Sequence, residues 1–129
     1  MPGARVYWTL VFTAASLEHL AKRNIEGTDV ADAVYGRNGP ARVGKGGGGA
    51  GQRWFVVAPL ETGALLTCVF RTARPRDLEA EGAFVVSSTG RPEPPGRFDS
   101  SMRLCVSARV SDEDEVRSYR RWRGGKGGR

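Results

Sequence analysis

Apolar and polar residues alternate most regularly toward the C-terminal end of the chain. Met102 and every second residue up to Val110 are apolar, and the residues between them form a second face with Arg103 and Arg109 near its ends. A period of two predicts a strand. Ser111 follows as a candidate N-cap, and the four acidic residues after it suit the positive end of a helix. The stretch therefore predicts a strand that leads directly into a helix.

The patterns upstream predict two more helices and at least three more strands. Residues 6–12 are β-branched and aromatic, which predicts a first strand, and Thr13 can cap a helix that ends at Asn24. A short helix is predicted over 27–35. Residues 53–59 and 64–71 predict an antiparallel hairpin. We expect an α+β fold: a small antiparallel sheet with two N-terminal helices and one C-terminal helix.

Glycine and proline divide the chain into a packed part and irregular segments. The 18 glycines and seven prolines concentrate in a few stretches. We predict one domain over 1–123 with a flexible glycine-rich loop at 36–52, an insertion at 72–101 that includes a short strand near 83–87, and a flexible basic tail at 124–129. The loop nearly matches a phosphate-binding P-loop, but Gly46 stands where that motif needs Ser or Thr, so we reject the match.

Charge points to a polyanionic partner. The formal net charge is +6, and 17 of the 20 basic residues are arginine. Arginine forms bidentate pairs with phosphate and stacks on bases, although GC-rich coding also favours arginine over lysine. Residues 117–129 hold six basic residues and no acidic one, which favours nucleic acid or an acidic protein.

The two cysteines and the hydropathy of the chain bear on where the protein resides in the cell. Cys68 and Cys105 both fall in predicted strands without metal or redox spacing, so we expect two buried thiols in a reducing compartment, the cytoplasm. No apolar run reaches the length of a membrane span, so no membrane association is expected. No cluster of metal ligands or cofactor motif stands out, so neither a metal nor a cofactor is expected.

Three segments resemble parts of one bacterial family. The first runs from Phe12-Thr13 through Leu17-Glu18-His19 to Lys22-Arg23-Asn24-Ile25 and Asp29-Val30. The second is the 53–71 hairpin, which ends in Phe70-Arg71. The third joins Arg103-Leu104 and Ser107-Ala108-Arg109 to Glu115 and Tyr119. Together they resemble the BrnT-type ribonuclease toxins of type II toxin–antitoxin systems, which share the RelE-like fold. The family has Gly where this chain has Asn24, and the segments 36–52 and 72–101 are long for it.

The resemblance implies a toxin and its partners. The expected activity is a metal-independent endoribonuclease that inhibits translation, is neutralised by a small DNA-binding antitoxin and enters a higher-order toxin–antitoxin complex. Cleavage through the 2′-hydroxyl needs fixed positive charge at the phosphate and groups that transfer protons. The candidate catalytic residues are Arg71, Arg103 and Arg109, which we expect to converge on one surface of the sheet, together with Glu115, Tyr119 and His19. The candidate RNA-binding residues are Lys22, Arg23, Arg53, Arg117, Arg120, Arg121 and Trp122.

Several of these candidate residues also have a purely structural interpretation. His19 can be a solvated surface histidine, Tyr119 and Trp122 can face the core, and Arg103 and Arg109 can pair with the acidic residues of the last helix. The alternative function is a non-catalytic RNA- or protein-binding module of the same fold. A gyrase-inhibiting toxin is a third option.

Overall fold

The computed structural model describes residues 6–47 and 51–125, and these form three helices and seven strands. In chain order the elements are β1 Thr9–Phe12, α1 Ala14–Ala21, α2 Gly27–Val34, β2 Arg42–Gly46, β3 Arg53–Pro59, β4 Leu65–Thr72, a 3₁₀ helix Pro75–Glu79, β5 Phe84–Val86, β6 Pro92–Glu93, β7 Met102–Val110 and α3 Glu113–Gly124. The predicted α+β class and the three helices are confirmed.

All seven strands join one sheet in the order β2-β3-β4-β7-β1-β5-β6. Neighbouring strands are antiparallel except β1 and β7, which run parallel. The sheet is therefore mixed, and it is larger than the small antiparallel sheet expected. The additional strands come from the two segments predicted as a loop and an insertion. Segment 36–52 contributes β2 at one edge of the sheet, and segment 72–101 contributes β5 and β6 at the other.

Strand β2 has a physical reason to form despite its glycines. Its five residues pair with β3 from Arg42 opposite Val57 to Gly46 opposite Arg53. Strand β3 supplies the backbone hydrogen-bond partners. This pairing outweighs the weak preference of glycine for strands. The predicted tail lies outside the described residues beyond position 125, and α3 itself continues through Gly124.

Apolar residues cover both faces of the sheet. On one face, called here the α1/α2 face, both N-terminal helices pack on a cluster that includes Leu10, Phe12, Cys68 and Cys105. The opposite face, called here the α3 face, carries a second cluster. It contains Val11, Ala73, Val85, Met102 and Leu104, with Leu78 and Phe98 packed against them. The segment predicted as an insertion therefore completes the fold by covering part of the α3 face.

The local signals read from the sequence hold at the helix ends. Thr13 accepts a hydrogen bond from the N–H of Ser16 and caps α1. Asn24 ends the first helical segment with a φ of 56°, the left-handed conformation that Asn tolerates. Helix α3 is capped by Asp112, one residue later than predicted, because its carboxylate accepts from the N–H of Glu115.

Candidate nucleic-acid interface

A bulge in β7 decides which arginines share a face. Val69 of β4 pairs with Ser107, whereas the next residue, Phe70, pairs with Cys105, so Val106 is left unpaired. One extra residue reverses the side-chain alternation beyond it. Cys105 and Ala108 consequently both lie on the α1/α2 face, and the strict alternation predicted for this strand is wrong past Cys105.

The bulge separates the three arginines expected to converge. Arg71 pairs with Leu104 of the second apolar cluster, which places Arg71 on the α3 face. Arg109 lies on the same face, because its neighbour Ala108 packs in the cluster beneath α1 and α2. Arg103 pairs across β1 with Leu10 and lies on the α1/α2 face. The sheet therefore brings Arg71 and Arg109 to one side and places Arg103 on the other.

The α3 face has an open strip between its two covered parts. Helix α3 crosses one end, where Arg42 donates to the carbonyl and hydroxyl oxygens of Ser118 and Arg109 pairs with Glu115. The second apolar cluster covers the other end. The row between them consists of Gly44, Phe55, Val69 and Ser107, which are paired in register across β2, β3, β4 and β7. We call this row, with its flanking residues Arg53, Arg71 and Arg109, the trough.

Phe55 gives the trough an aromatic floor. Its side chain lies on the α3 face and is 40% exposed. The ring lies against β2, where a Cβ added to Gly46 would come within 2.7 Å of Phe55 Cε2. Glycine at this position therefore lets a large aromatic ring lie across the edge strand with one side open to solvent. The sequence did not single out Phe55, and the only available signal was its alternation with Trp54 and Val56 along β3.

Arg71 is held rigidly at one side of the trough. Its two terminal nitrogens donate to the carboxylate oxygens of Asp77 at 2.9 and 3.0 Å. Burial alone would raise the pKa of Asp77, but hydrogen bonds from Arg71 and from the backbone N–H of Arg74 outweigh it and lower that pKa. Arg53 lies beside Arg71, one residue beyond the last register pair of β3 and β4, and has no ion pair among the described residues.

Arg109 is held in the same way at the opposite side. Its guanidinium donates to both carboxylate oxygens of Glu115, with Nη2 to Oε2 at 2.8 Å, and Glu115 also accepts from the N–H of Asp112. The alternative interpretation, in which these arginines pair with acidic residues of the last helix, therefore holds for Arg109. Arg109 lies four residues along the strands from Arg71, about 13 Å at the rise of a β-strand.

Arg103 occupies a different environment. Its guanidinium carbon lies 4.4 Å from the centre of the Trp54 ring and 5.4 Å from that of Trp8. Nη1 donates to the carbonyl oxygens of Ser100 and Met102. Nε is buried without a hydrogen-bond partner, and burial lowers the pKa of the guanidinium.

None of the remaining catalytic candidates is placed to transfer a proton beside Arg71 and Arg109. One is too far away, and the other two are engaged in other hydrogen bonds. His19 is exposed on α1, so the sheet lies between it and the trough. Tyr119 of α3 is buried, and its hydroxyl donates to the carbonyl oxygen of Pro40 at 2.6 Å. Burial also raises the pKa of Tyr119. Glu115 is engaged by Arg109.

The RNA-binding candidates divide between the two faces. Lys22 and Arg23 are exposed on the α1 side, where Arg23 donates to the carbonyl oxygen of Ala108. On α3, Arg117 pairs with Asp114, and Trp122 packs against Tyr119 with ring centres 5.5 Å apart. Arg120 and Arg121 are exposed on the same helix. Of the seven candidates, only Arg53 lies in the trough.

Neither a metal site nor a membrane-spanning element stands out in the described part of the chain. No group of three or more His, Cys, Asp or Glu side chains within 6–47 and 51–125 has the geometry to hold a metal ion. No helix in those ranges has the length and apolar character to cross a membrane. Cys68 and Cys105 are free and buried, and burial raises the pKa of Cys105 to about 12.

Comparison with known proteins leaves the chain without an assigned family. Neither the models of protein families, nor the curated proteins, nor the solved structures include a match to it.

Proposed function

We propose that this protein binds single-stranded RNA in the trough. The observation that carries the proposal is the exposed Phe55 ring between arginines, on an otherwise open strip of sheet. Proteins that bind single strands combine a positive groove for the phosphates with aromatic rings on which bases stack. Phe55 supplies the ring, and Arg53 supplies positive charge that has no ion pair among the described residues. Arg71 and Arg109 lie on opposite sides of the ring, each held by a carboxylate. The net charge of +6 favours association with a polyanion.

The test is equilibrium binding of a fluorescently labelled RNA octamer, measured by anisotropy at low salt. Stacking of one base on an aromatic side chain contributes about 1–3 kcal/mol. Phe55→Ala should therefore weaken binding about 10-fold or more, and Arg53→Gln should weaken it by a smaller factor. Arg91→Gln is the matched control, because Arg91 is exposed and adjoins β6 at the opposite edge of the sheet. Wild-type affinity in Phe55→Ala would exclude the trough as the binding site.

A second candidate is cleavage of the bound RNA, as the resemblance to BrnT-type toxins and the RelE-like fold implies. The observation that favours it is the fixing of Arg71 and Arg109 by carboxylates, because preorganised positive charge stabilises the developing charge of a phosphoryl transition state. In this cleavage the 2′-oxygen would bond to phosphorus and displace the 5′-oxygen of the next nucleotide. Water would take the proton of the 2′-hydroxyl and protonate the leaving oxygen, because Arg109 engages Glu115. On this proposal the protein is a cytoplasmic toxin, with a small DNA-binding antitoxin as its partner.

Cleavage and binding are separable by experiment. RNA incubated with the purified protein in excess EDTA should yield fragments with 2′,3′-cyclic phosphate ends if the second candidate holds. Arg71→Gln and Arg109→Gln should each reduce the cleavage rate by about 100-fold, the scale of losing one preorganised charge donor. Intact RNA together with measurable binding would reject the toxin activity and leave the binding module. Growth arrest on expression, relieved by the product of a neighbouring gene, would support the toxin.

A further inference from the structure

Arg103 carries a positive charge that the trough does not use. The described residues provide no carboxylate within ion-pair distance of it, and Nη2 makes no hydrogen bond. Its Nε is buried and unpartnered. Buried polar groups are nearly always paired, and a half-buried cation is costly without a counter-charge. Stacking on Trp8 and Trp54 offsets part of that cost. Among the described residues, the guanidinium therefore has no counter-ion, and its Nη2 remains available as a donor.

A second free cation lies beside this cluster. Lys45 of β2 pairs in register with Trp54, so both side chains lie on the α1/α2 face. Lys45 is exposed and has neither a hydrogen bond nor an ion pair within the described residues. Arg103 and Lys45 thus stand on either side of the half-buried Trp54 ring. An anion with a planar apolar group next to it, such as a nucleotide, matches this arrangement of charge and aromatic surface.

The edge of the sheet connects this cluster to the trough. Trp54 and Phe55 are consecutive residues of β3, so their rings lie on opposite faces of one strand. Only β2 lies outside β3, and it is the last strand of the sheet. On the trough side β2 presents glycines at positions 44 and 46, and a Cβ at Gly44 would meet no atom within 4 Å. On the trough side, β2 itself therefore presents no side chain at positions 44 and 46, where a strand of RNA would cross it.

We propose that Arg103 and Lys45 form a second phosphate-binding site around Trp54, and that an RNA strand bound in the trough passes around the edge strand β2 to reach it. The inference rests on the proposed binding of RNA in the trough. It assigns to Arg103 a contact with phosphate on the face opposite Arg71 and Arg109. It also predicts that a short RNA, which occupies only the trough, makes no contact with Arg103 or Lys45.

The experiment compares labelled oligouridylates of 4 and 12 nucleotides, a range that spans the site sizes of small single-strand-binding domains, about 4–16 nucleotides. Arg103→Gln and Lys45→Gln should each weaken the 12-mer about 5-fold and change the 4-mer less than about 2-fold, because each removes one phosphate contact of the longer strand only. Lys45 is exposed and unpaired, so Lys45→Gln tests the site without threatening the fold. Arg91→Gln again serves as the control. Comparison with a DNA 12-mer shows whether binding at the second site requires the 2′-hydroxyl of the sugar.

The outcomes separate this inference from the proposed function. If Phe55→Ala weakens both oligomers but Lys45→Gln and Arg103→Gln leave the 12-mer unchanged, the second site is wrong and the trough stands. If Lys45→Gln weakens the 4-mer as much as the 12-mer, the path around β2 is wrong. If neither oligomer binds the wild-type protein, the proposed function fails, and this inference fails with it.

Discussion

Individual side chains in this protein hold backbone segments together across the sheet. The hydroxyl of Tyr35, at the end of α2, lies 2.6 Å from the carbonyl oxygen of Trp8 and 2.8 Å from that of Val86. One hydroxyl therefore serves the segment that enters β1 and the end of β5 together. The bidentate pairs of Arg71 and Arg109 act similarly, since each ties a strand to the element that follows it.

The Tyr35 hydroxyl allows a direct test of this role. Tyr35→Phe removes the single hydroxyl proton that the two carbonyl oxygens share, which should lower the free energy of unfolding by about 1–3 kcal/mol. Tyr7→Phe is the matched control, because Tyr7 is 79% exposed. Urea denaturation followed by circular dichroism measures both. Equal midpoints for the two variants would show that the Tyr35 hydroxyl contributes little.

Asp77 predicts a pH dependence with a defined sign. Its pKa is lower in the folded protein than the ordinary value of 3.8, so its ionised form stabilises the fold above that value. This contribution is lost as the pH falls through the lower, folded pKa. Asp77→Asn should thus be less stable than wild type at pH 7, and the gap should shrink below a pH of about 4. Unfolding free energies of both proteins from pH 7 to pH 3 give the gap, and a constant gap would contradict the prediction.

At the scale of elements, β2 and the bulge of β7 decide the character of the α3 face. The bulge moves Arg109 onto the face that carries Arg71, and it leaves Arg103 on the other face. Strand β2 extends the sheet beyond β3 and supports the Phe55 ring with glycine backbone. The open aromatic strip exists because both features occur on neighbouring parts of one sheet.

Substitution of Gly46 tests whether the position of the Phe55 ring depends on its contact with β2. A methyl group at Gly46 would come within 2.7 Å of Phe55 Cε2, so Gly46→Ala should push the ring out of its position. We expect RNA affinity to fall about 3-fold or more, since base stacking depends on the placement of the ring. Gly96→Ala is the control, because an added Cβ there meets no atom within 4 Å. Anisotropy titrations of both variants, with thermal melts to check folding, complete the test.

At the scale of the whole molecule, positive charge is distributed over both faces and the edge that joins them. Arg53, Arg71 and Arg109 lie on the α3 face. Lys45 of β2 and Arg103 of β7 lie on the α1/α2 face, and the Arg103 guanidinium reaches the Trp54 ring of β3. The logarithm of the binding constant for a single strand falls linearly with the logarithm of the salt concentration. The slope is about −0.7 for each phosphate that the protein contacts. The slope therefore counts the phosphates that the molecule engages.

This distribution predicts different salt slopes for short and long RNA. The slope of the 12-mer should be steeper than that of the 4-mer by about 1.4, because the longer strand adds phosphate contacts to Arg103 and Lys45 at about 0.7 each. Anisotropy titrations over a range of KCl concentrations measure both slopes. Identical slopes for the two lengths would mean that the longer strand gains no phosphate contact outside the trough.

The sequence by itself determined most of the local structure, because the signals are local. Period-two alternation located β7, and two strand-like runs on either side of a turn located β3 and β4. The Thr13 cap and the left-handed Asn24 located the ends of α1, and apolar spacing located α2. The α+β class followed from the order of these elements. The buried state of Cys68 and Cys105 also followed, since both lie within apolar strands.

Only the tertiary structure decided which of these residues meet. The unpaired Val106 reverses the alternation of β7, and nothing in the sequence around it marks a bulge. A glycine-rich segment became strand β2 because β3 offered a partner. The short strand predicted near 83–87 is present as β5, but its pairing with β1 came only from the tertiary structure. Faces, edges and pairing partners depend on contacts between residues far apart in the chain. For that reason Arg103 left the expected arginine cluster, and Phe55, unremarkable in the sequence, lies at the centre of the trough.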